Sequence, residues 1–399
     1  FYDNHCIVYF NNGLIFILPE MDCMKVNVSQ QQLSHGLSIV SRAVAPRSTL
    51  PVLGNILLTT DEGRVRLSAT NLELGISCWI GAQITEDGEG ITIPARTFID
   101  LINALPNDTI TLTVNSKTQS INVRCGQNVT DIKGIDAQEF PPMPVPELEE
   151  GVDLNAADVK EMIRQVAFAA STDDARPVLQ GVSINMAENN LTMAATDGFR
   201  ISVRKAILTG PMRKPATIII PARALSELAR IAADGEEIIH MVLPPGRGQV
   251  IFHMKDAELV SQLIDGNFPD YRAIIPSKFK TQTIVSTAGF LKSCKQAEII
   301  AREGTNVIRL NVLPGGANPG KVEISAQSEE TGTSDIALDA SVEGDGLVIA
   351  FKIRYLREVL EIITTPNVML QMNASNTPGM IIPTNDDSFL HVIMPMHLG

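Results

Sequence analysis

The chain contains 399 residues, of which 44% are hydrophobic and 19% are charged. This length exceeds one typical core of about 150 residues and predicts two or three domains. With 32 Lys and Arg against 45 Asp and Glu, the net charge is −13, which excludes a uniformly basic nucleic-acid-coating protein but not a local basic surface. Aromatic residues are 5% of the chain, so few side chains are available on which nucleic-acid bases could stack.

The first 23 residues contain one apolar run, Leu14 to Leu18, without a basic stretch before it or a small-residue cleavage site after it. The run is too short to span a bilayer, and we predict no membrane contact. We interpret residues 1–23 as an extension and Met24 as the functional start; the alternative is a genuine first strand. Five scattered cysteines without a C-x-x-C pair predict a reducing compartment with neither a disulfide framework nor a zinc site.

Internal repeats organise the rest of the chain. The tetrapeptide Ile-Pro-Ala-Arg at residues 93–96 recurs at residues 220–223, an offset of 127. Two further pairs keep nearly the same spacing: Ala69-Thr70-Asn71 with Ala195-Thr196-Asp197 at 126, and Phe140-Pro141 with Phe268-Pro269 at 128. A weaker third copy aligns residues 351–356 with the second tetrapeptide. Three homologous domains explain these matches most simply.

Hydrophobic periodicity predicts the same elements in each copy. Apolar residues spaced by three and four predict a first helix on the stripes Leu33, Leu37, Val40, Val44; Val159, Ile163, Val166, Ala170; and Phe290, Cys294, Ala297, Ala301. Short alternating runs between Gly, Asn and Asp turns predict antiparallel strands. A second helix is predicted over 98–105, 225–232 and 355–363, with a proline in the first turn of the first two. The predicted fold class is α+β, sheet-rich, with both helices of a domain on one side.

The predicted helices are more basic than the chain as a whole. Taken as residues 28–47, 94–106, 156–171, 221–233, 287–302 and 350–363, they carry +6 and leave −19 elsewhere. Arg42, Lys292 and Lys295 lie opposite the apolar stripes and are expected to face solvent. Solvated helix faces are the ordinary explanation. The alternative is a ring whose helices line a hole around a polyanion and need few strong phosphate contacts.

Four segments carry a resemblance to a known family: STLPVLGNILL at 48–58, ATDGFR at 195–200, DGNFPDYR at 265–272 and VIMPM at 392–396. In this order they resemble the bacterial DNA polymerase III β subunits, the replicative sliding clamps, and the likeness runs from Met24 to the end. It implies a DNA clamp fold of three domains, 24–147, 148–279 and 280–399, after a non-family extension at 1–23. It also implies a head-to-tail homodimer that closes into a ring.

The resemblance further implies a function without chemistry of its own. Such a ring encircles double-stranded DNA and tethers the polymerase as the processivity factor of a nucleotidyltransferase complex, with no cofactor. Implied partners are the DNA polymerase III catalytic subunit, the clamp loader, and other DNA polymerases and repair proteins, but no membrane. Cytoplasmic localisation in the bacterial nucleoid and replisome follows from this role.

Site residues carry over by position. The pocket for partner peptides corresponds to Leu179, Thr196, Gly198, Phe199, Arg200, Ile201, Pro269, Ile274, Val392, Met394, Pro395 and Met396. Apolar and Met side chains suit such an adaptable groove, although Ile201 and Val392 would also fit an ordinary core. Phe199 replaces a His common in the family, and His397 replaces an Arg, so peptide preference is expected to differ.

The candidate DNA contacts are Arg47, Arg42, Arg96, Arg176, Arg223, Lys292 and Lys295. Arg47 matches a family DNA-contacting position. A companion position is Asp173 here, and we leave it out because an acid would repel phosphate. For Arg96 and Arg223 the structural alternative is pairing with a carboxylate of the same domain.

Two alternative functions stay open. Common nucleotide-binding and hydrolase motifs are absent from the sequence, and Asp197, Asp265 and Asp270, which could be imagined as metal ligands of a nuclease, sit beside Gly or Pro in predicted turns. We therefore predict no metal site and no catalytic residue. A clamp paralogue that protects against a clamp-binding inhibitor is the second alternative.

Overall fold

The computed structural model describes residues 6–9, 15–18, 24–144, 151–208, 215–235, 237–316 and 319–397. They divide into two compact units: unit 1 is 1–151 with 238–262, and unit 2 is 152–237 with 263–399. The α-helices in these residues are α1 (Gln30–Val40), α2 (Ala95–Ala104), α3 (Ala156–Val166), α4 (Ala222–Ile231), α5 (Thr287–Ala301) and α6 (Ile353–Ile362). None of the helices in this part of the chain is long and apolar enough to cross a membrane.

The strands outnumber the helices, as predicted. In the first 150 residues they are β1 (Cys6–Tyr9), β2 (Ile15–Leu18), β3 (Lys25–Ser29), β4 (Asn55–Asp61), β5 (Arg64–Thr70), β6 (Leu74–Ile80), β7 (Gln83–Glu86), β8 (Ile91–Pro94), β9 (Thr109–Asn115), β10 (Ser120–Cys125), β11 (Asn128–Lys133) and β12 (Ile135–Asp136). They continue as β13 (Val152–Asn155), β14 (Gly181–Ala187), β15 (Asn190–Thr196), β16 (Arg200–Ile207), β17 (Ala216–Pro221), β18 (Ile238–Val242), β19 (Gln249–His253), β20 (Ala257–Gln262), β21 (Thr281–Ser286), β22 (Val307–Leu313), β23 (Gly320–Ser328), β24 (Gly332–Gly344), β25 (Leu347–Lys352), β26 (Asn367–Met372), β27 (Gly379–Pro383) and β28 (Phe389–Ile393).

The interpretation of residues 1–23 as an extension lies mostly outside the described residues. Within that segment, β1 and β2 pair as antiparallel strands.

The internal repeat is visible in the sheets of both units. In unit 1 one sheet contains the order β8-β4-β5-β6-β20-β19-β18, and in unit 2 another contains β17-β14-β15-β16-β28-β27-β26. The strands correspond one to one, and the pairings between them are antiparallel. Unit 1 also holds the separate sheet β11-β10-β9-β3-β7, while β26 continues into β21-β24-β23-β22-β25 in unit 2. The two helices of each copy contact each other: α1 with α2, α3 with α4, and α5 with α6.

The apolar stripes of the first helices were placed correctly, except at two ends. Phe290, Cys294, Ala297 and Ala301 on α5 are fully buried. Val44 and Ala170, in contrast, lie beyond their helices, because α1 and α3 each pass into a short 3₁₀ turn whose C-cap is extended. A stripe continued in sequence therefore overestimated two helices by one turn.

The second helices begin about three residues earlier than predicted. The predicted starts, Phe98, Leu225 and Tyr355, lie two or three residues inside the helices, since α2, α4 and α6 begin at Ala95, Ala222 and Ile353. Each helix begins with Ala or Ile followed by an arginine, and the predicted starts passed over this first turn. The prolines at 94 and 221 also lie outside the first turn: each is the N-cap and the last residue of a strand.

Each copy begins with a strand that hydrophobic periodicity did not predict. The strands β3, β13 and β21 precede the first helices. They hold only four to six residues, and their alternation was too short to separate from the helix that follows.

The basic excess of the helices is smaller than predicted. Nine basic and seven acidic residues lie within the six described helices, a net charge of +2 instead of +6. The other four positive charges flank the α-helices: Arg42 lies in a 3₁₀ turn, Arg47 in a loop, and Arg302 and Lys352 are caps. The predicted segments were simply wider than the helices.

Candidate functional site

A tight turn between β15 and β16 forms one wall of the candidate site. The Asp197 carboxylate accepts hydrogen bonds from the backbone N–H groups of Phe199 and Arg200, at 2.9 and 3.1 Å. The hydroxyl of Thr196 accepts from the N–H of Gly198 and donates to the carbonyl of Arg200. Gly198 has φ +94°, a conformation that glycine adopts without steric cost. The turn therefore leaves the Phe199 ring 56% exposed.

The Arg200 side chain connects this turn to neighbouring elements. It is 4% exposed, and its guanidinium pairs with Asp197 at 3.2 Å and with Glu358 of α6 at 2.5 Å. It also donates to the carbonyl of Phe168 at 2.8 Å and lies 4.6 Å from the centroid of the Tyr355 ring. A buried guanidinium requires such partners on all sides, so the turn is rigidly connected to α6.

These contacts shift the pKa values of neighbouring groups. Burial raises the pKa of the Tyr355 hydroxyl, and the carboxylate of Asp197 adds to that effect. Burial of Glu358 opposes its ionisation, but hydrogen bonds from Arg354 and Arg200 outweigh it and lower its pKa. Glu358 is therefore an anion that neutralises Arg200 under ordinary conditions.

Beside the turn lies an apolar cavity of about 90 Å³ within unit 2. Its lining includes ten of the twelve predicted pocket residues: Leu179, Thr196, Gly198, Phe199, Arg200, Ile201, Pro269, Ile274, Val392 and Met394. Phe199, Ile274 and Met394 stay partly exposed around it, at 56, 43 and 38%. Large apolar side chains left exposed at the rim of a cavity are suited to an apolar ligand group.

Two predicted pocket residues, Pro395 and Met396, do not line this cavity. The backbone N–H of Met394 donates to the carbonyl of Phe199 at 2.8 Å, which holds the chain at the rim. Two residues later Met396 pairs with Ala350, and its side chain lines a different groove together with Arg309 and Gln327. The chain end thus crosses from one site to another, which a sequence motif cannot show.

One lining residue, Tyr271, was not predicted. It contacts Phe268 edge to face, with ring centroids 6.3 Å apart, and packs against the core of which Ile201 and Val392 are members. Its signal was available, because Tyr271 lies within the segment 265–272 that carries the family resemblance.

The candidate DNA contacts of unit 1 occupy three different settings. Arg47 is exposed in the turn between two 3₁₀ helices, and Arg42 is half-buried. Arg96 lies in the first turn of α2, where its side chain is 96% exposed and 3.8 Å from Asp100. An ion pair of such exposure contributes little, so the Arg96 guanidinium stays available to an external anion.

In unit 2 the candidates differ in how far they are paired. Arg223 and Lys292 are exposed on α4 and α5. Lys295 is also exposed, but its ammonium lies 3.0 Å from Glu361 of α6. Arg176 pairs with Asp173 at 3.1 Å, and the pKa of Asp173 is lowered by the N–H of Ala175 and by Arg176. Asp173, which was left out of the candidate DNA contacts, therefore neutralises Arg176, which was included among them.

No group of three or more His, Cys, Asp or Glu residues that could hold a metal ion occurs in the residues that the structure describes. Cys78, Cys125 and Cys294 are buried free thiols.

Comparison with known proteins identifies the family. Residues 24–144, 153–270 and 272–397 match the N-terminal, central and C-terminal domains of the DNA polymerase III beta subunit. The beta sliding clamps of Synechococcus elongatus and Bacillus subtilis are 33% and 30% identical, over 94% of this chain and 100% and 99% of theirs.

Solved structures agree. The crystal structure of the DNA polymerase sliding clamp from Bacillus subtilis is 30% identical, with a TM-score of 0.89 over 94% of this chain and 100% of that one. A DNA polymerase III beta subunit from Thermotoga maritima, 25% identical, has a TM-score of 0.85 over the same shares. The prediction of three DNA clamp domains is confirmed, while the boundaries at 147 and 279 stay predictions. The chain belongs to the DNA polymerase III beta subunit family, the bacterial β sliding clamps.

Proposed function

We propose that two copies of this chain close head to tail into a ring around double-stranded DNA and tether the replicative polymerase to its template. The open cavity beside Phe199 supports the tethering role most directly. Ten of the twelve residues that the family resemblance implied for a peptide pocket line this cavity. An apolar cavity with an exposed rim fits a short peptide segment that presents large apolar side chains. Polymerase, clamp loader and other partners would compete for this cavity.

The charge distribution supports a topological hold on DNA instead of tight binding. A chain of net charge −13 repels free DNA, and exposed cations such as Arg47, Arg96 and Arg223 supply only scattered phosphate contacts. Few contacts without base readout allow sliding once the ring is closed. The ring therefore needs a loader, and no catalytic step of its own is required.

Retention on DNA of different topology tests this function. We expect the loaded protein to stay on nicked circular duplex through gel filtration in high salt and to leave the same duplex within minutes after linearisation. Retention on linear DNA with open ends at high salt would contradict enclosure. Complementation of a strain that lacks its chromosomal clamp distinguishes a general replication clamp from a dedicated inhibitor-resistance paralogue.

Charge variants locate the DNA-facing residues. The variants Arg96→Ala and Arg223→Ala should each lower the salt dependence of the weak binding of the unloaded protein to linear duplex by about one counterion for every phosphate that the arginine neutralises. Lys321→Ala, an exposed charge on strand β23, serves as the matched control and should leave it unchanged.

A further inference from the structure

The turn that forms the wall of the open cavity has a second copy in unit 1. In that copy, Asn71 accepts hydrogen bonds from the N–H groups of Glu73 and Leu74, at 3.0 and 2.7 Å. Thr70 accepts from the N–H of Leu72 and donates to the carbonyl of Leu74. Each bond has its counterpart in the turn from Thr196 to Arg200, residue for residue at an offset of 126. Leu72 even shares the positive φ of Gly198, at +76°.

The strands around both turns are paired in the same register. Leu74 and Gly75 of β6 oppose Ser261 and Val260 of β20. Arg200 and Ile201 of β16 oppose Ile393 and Val392 of β28. The positions of Ile201 and Val392, which line the open cavity, therefore correspond to Gly75 and Val260 in unit 1.

In unit 1 this place is filled by a side chain of the same chain. A Cβ on Gly75 would lie 2.5 Å from the Cε and 3.0 Å from the Sδ of Met143. Met143 packs against two small clusters of buried residues, one formed by Val242, Ile251 and Val260 and the other by Val52, Leu53 and Phe140. Leu53 and Phe140 are the counterparts of Leu179, which lines the open cavity, and of Phe268, which packs against the core beside it.

Two substitutions between the copies explain the difference. In unit 2, both Ile201 and Tyr271 line the open cavity. In unit 1, Gly75 takes the place of Ile201 and leaves room for the thioether of Met143. Met143 corresponds to Tyr271, because it follows Pro141 by two residues as Tyr271 follows Pro269. Met is flexible enough to fill such an irregular space.

We propose that Met143 is the internal occupant of a second peptide site, so that, of the two copies of the site in the described residues, only the one in unit 2 is open. This inference rests on the proposed peptide-binding function of the Phe199 cavity. It makes Met143 the residue that limits the number of partners per chain. The second site would accept an apolar peptide side chain, and it would bind more weakly, because Glu73 and Leu74 stand where Phe199 and Arg200 stand in unit 2.

Peptide stoichiometry tests the inference. The full chain is titrated by calorimetry with an acetylated hexapeptide that ends in Leu-Phe, which supplies two large apolar side chains. We expect one peptide per chain for the wild type and two for Met143→Ala, the second at least tenfold weaker. In Met143→Ala combined with Phe199→Ala, the gained site should remain. Met143→Leu, which keeps the apolar volume, is the matched control and should bind one.

Equal stoichiometry of Met143→Ala and wild type would overturn the inference. A wild type that binds no peptide would instead contradict the proposed function of the Phe199 cavity, and a site gained on removal of Met143 would still support the internal occupant. If Met143→Ala does not fold, Met143→Gln is used. Its amide would leave the apolar site for solvent and open the site without shortening the side chain.

Discussion

The guanidinium of Arg200 and the carboxylate of Glu358 are joined at 2.5 Å across 158 residues of sequence. Arg200 begins β16 and carries the turn that exposes Phe199, whereas Glu358 lies on α6. Both side chains are largely buried, at 4 and 18% exposure. The pair therefore fixes the wall of the cavity to a helix of the matched C-terminal domain.

Removal of this pair should destabilise unit 2 strongly. Arg200→Met leaves the carboxylates of Asp197 and Glu358 without their main counter-charge, and we expect a decrease of about 3 to 5 kcal/mol in the free energy of unfolding. Chemical denaturation measures this decrease. Arg354→Met removes a more exposed partner of the same Glu358 and should cost less than about 1 kcal/mol. Equal decreases in the two variants would argue against a special role of Arg200.

A buried histidine makes stability depend on pH. His391 of β28 is fully buried, its Nδ1 lies 2.6 Å from the Ser202 hydroxyl, and burial followed by the charge of Arg200 holds its pKa well below 6.5. Below pH 6.5 this histidine binds a proton in the unfolded chain but stays neutral in the folded chain. The free energy of unfolding therefore falls with decreasing pH, by up to about 1.4 kcal/mol per pH unit. Denaturation curves from pH 7.5 to 5 measure this slope.

The variant His391→Gln should flatten that slope, because glutamine does not titrate. His397→Gln changes an exposed histidine near the chain end and is the control that should retain the wild-type slope. A slope unchanged in His391→Gln would exclude His391 as its source.

The positive φ of Leu72 should reverse the usual order of two substitutions. In ordinary backbone, alanine stabilises relative to glycine by roughly 0.5 to 1 kcal/mol. At φ +76° the Cβ itself is strained, so Leu72→Gly should be more stable than Leu72→Ala by about 1 kcal/mol. Thermal unfolding of the two variants, which both lack the leucine atoms beyond Cβ, isolates the backbone effect. A more stable alanine variant would show that the turn does not impose this conformation.

Two methionines near the chain end should differ in their effect on peptide binding. Met394 lines the Phe199 cavity, whereas Met396 lines another groove, although they are similarly exposed at 38 and 39%. Met394→Ala should weaken binding of the Leu-Phe peptide about tenfold, since a partly buried side chain of this size is worth roughly 1 to 2 kcal/mol. Met396→Ala should bind as the wild type does. The same weakening in both variants would show that Met396 also contributes to the peptide pocket.

Most of the candidate site was predictable because its residues cluster in three short segments. Residues 195–200, 265–272 and 392–396 supply eight of the eleven lining residues, and the family resemblance marks each of these segments. The lining differs from the predicted set where neighbouring residues in sequence take different directions. Met396 leaves the cavity through a pairing with Ala350, and Tyr271 joins the lining through a ring contact with Phe268.

The sequence by itself determined the repeat, the number of domains and the sign of the overall charge, since these follow from spacing and composition. It also determined the paired turns, because Thr and Asx side chains bond to backbone groups within four residues. Only the tertiary structure decided which copy of the pocket is open. That depends on whether a side chain from a distant segment fills the space, as Met143 does over Gly75 in unit 1. Such long-range packing leaves no periodicity in the sequence.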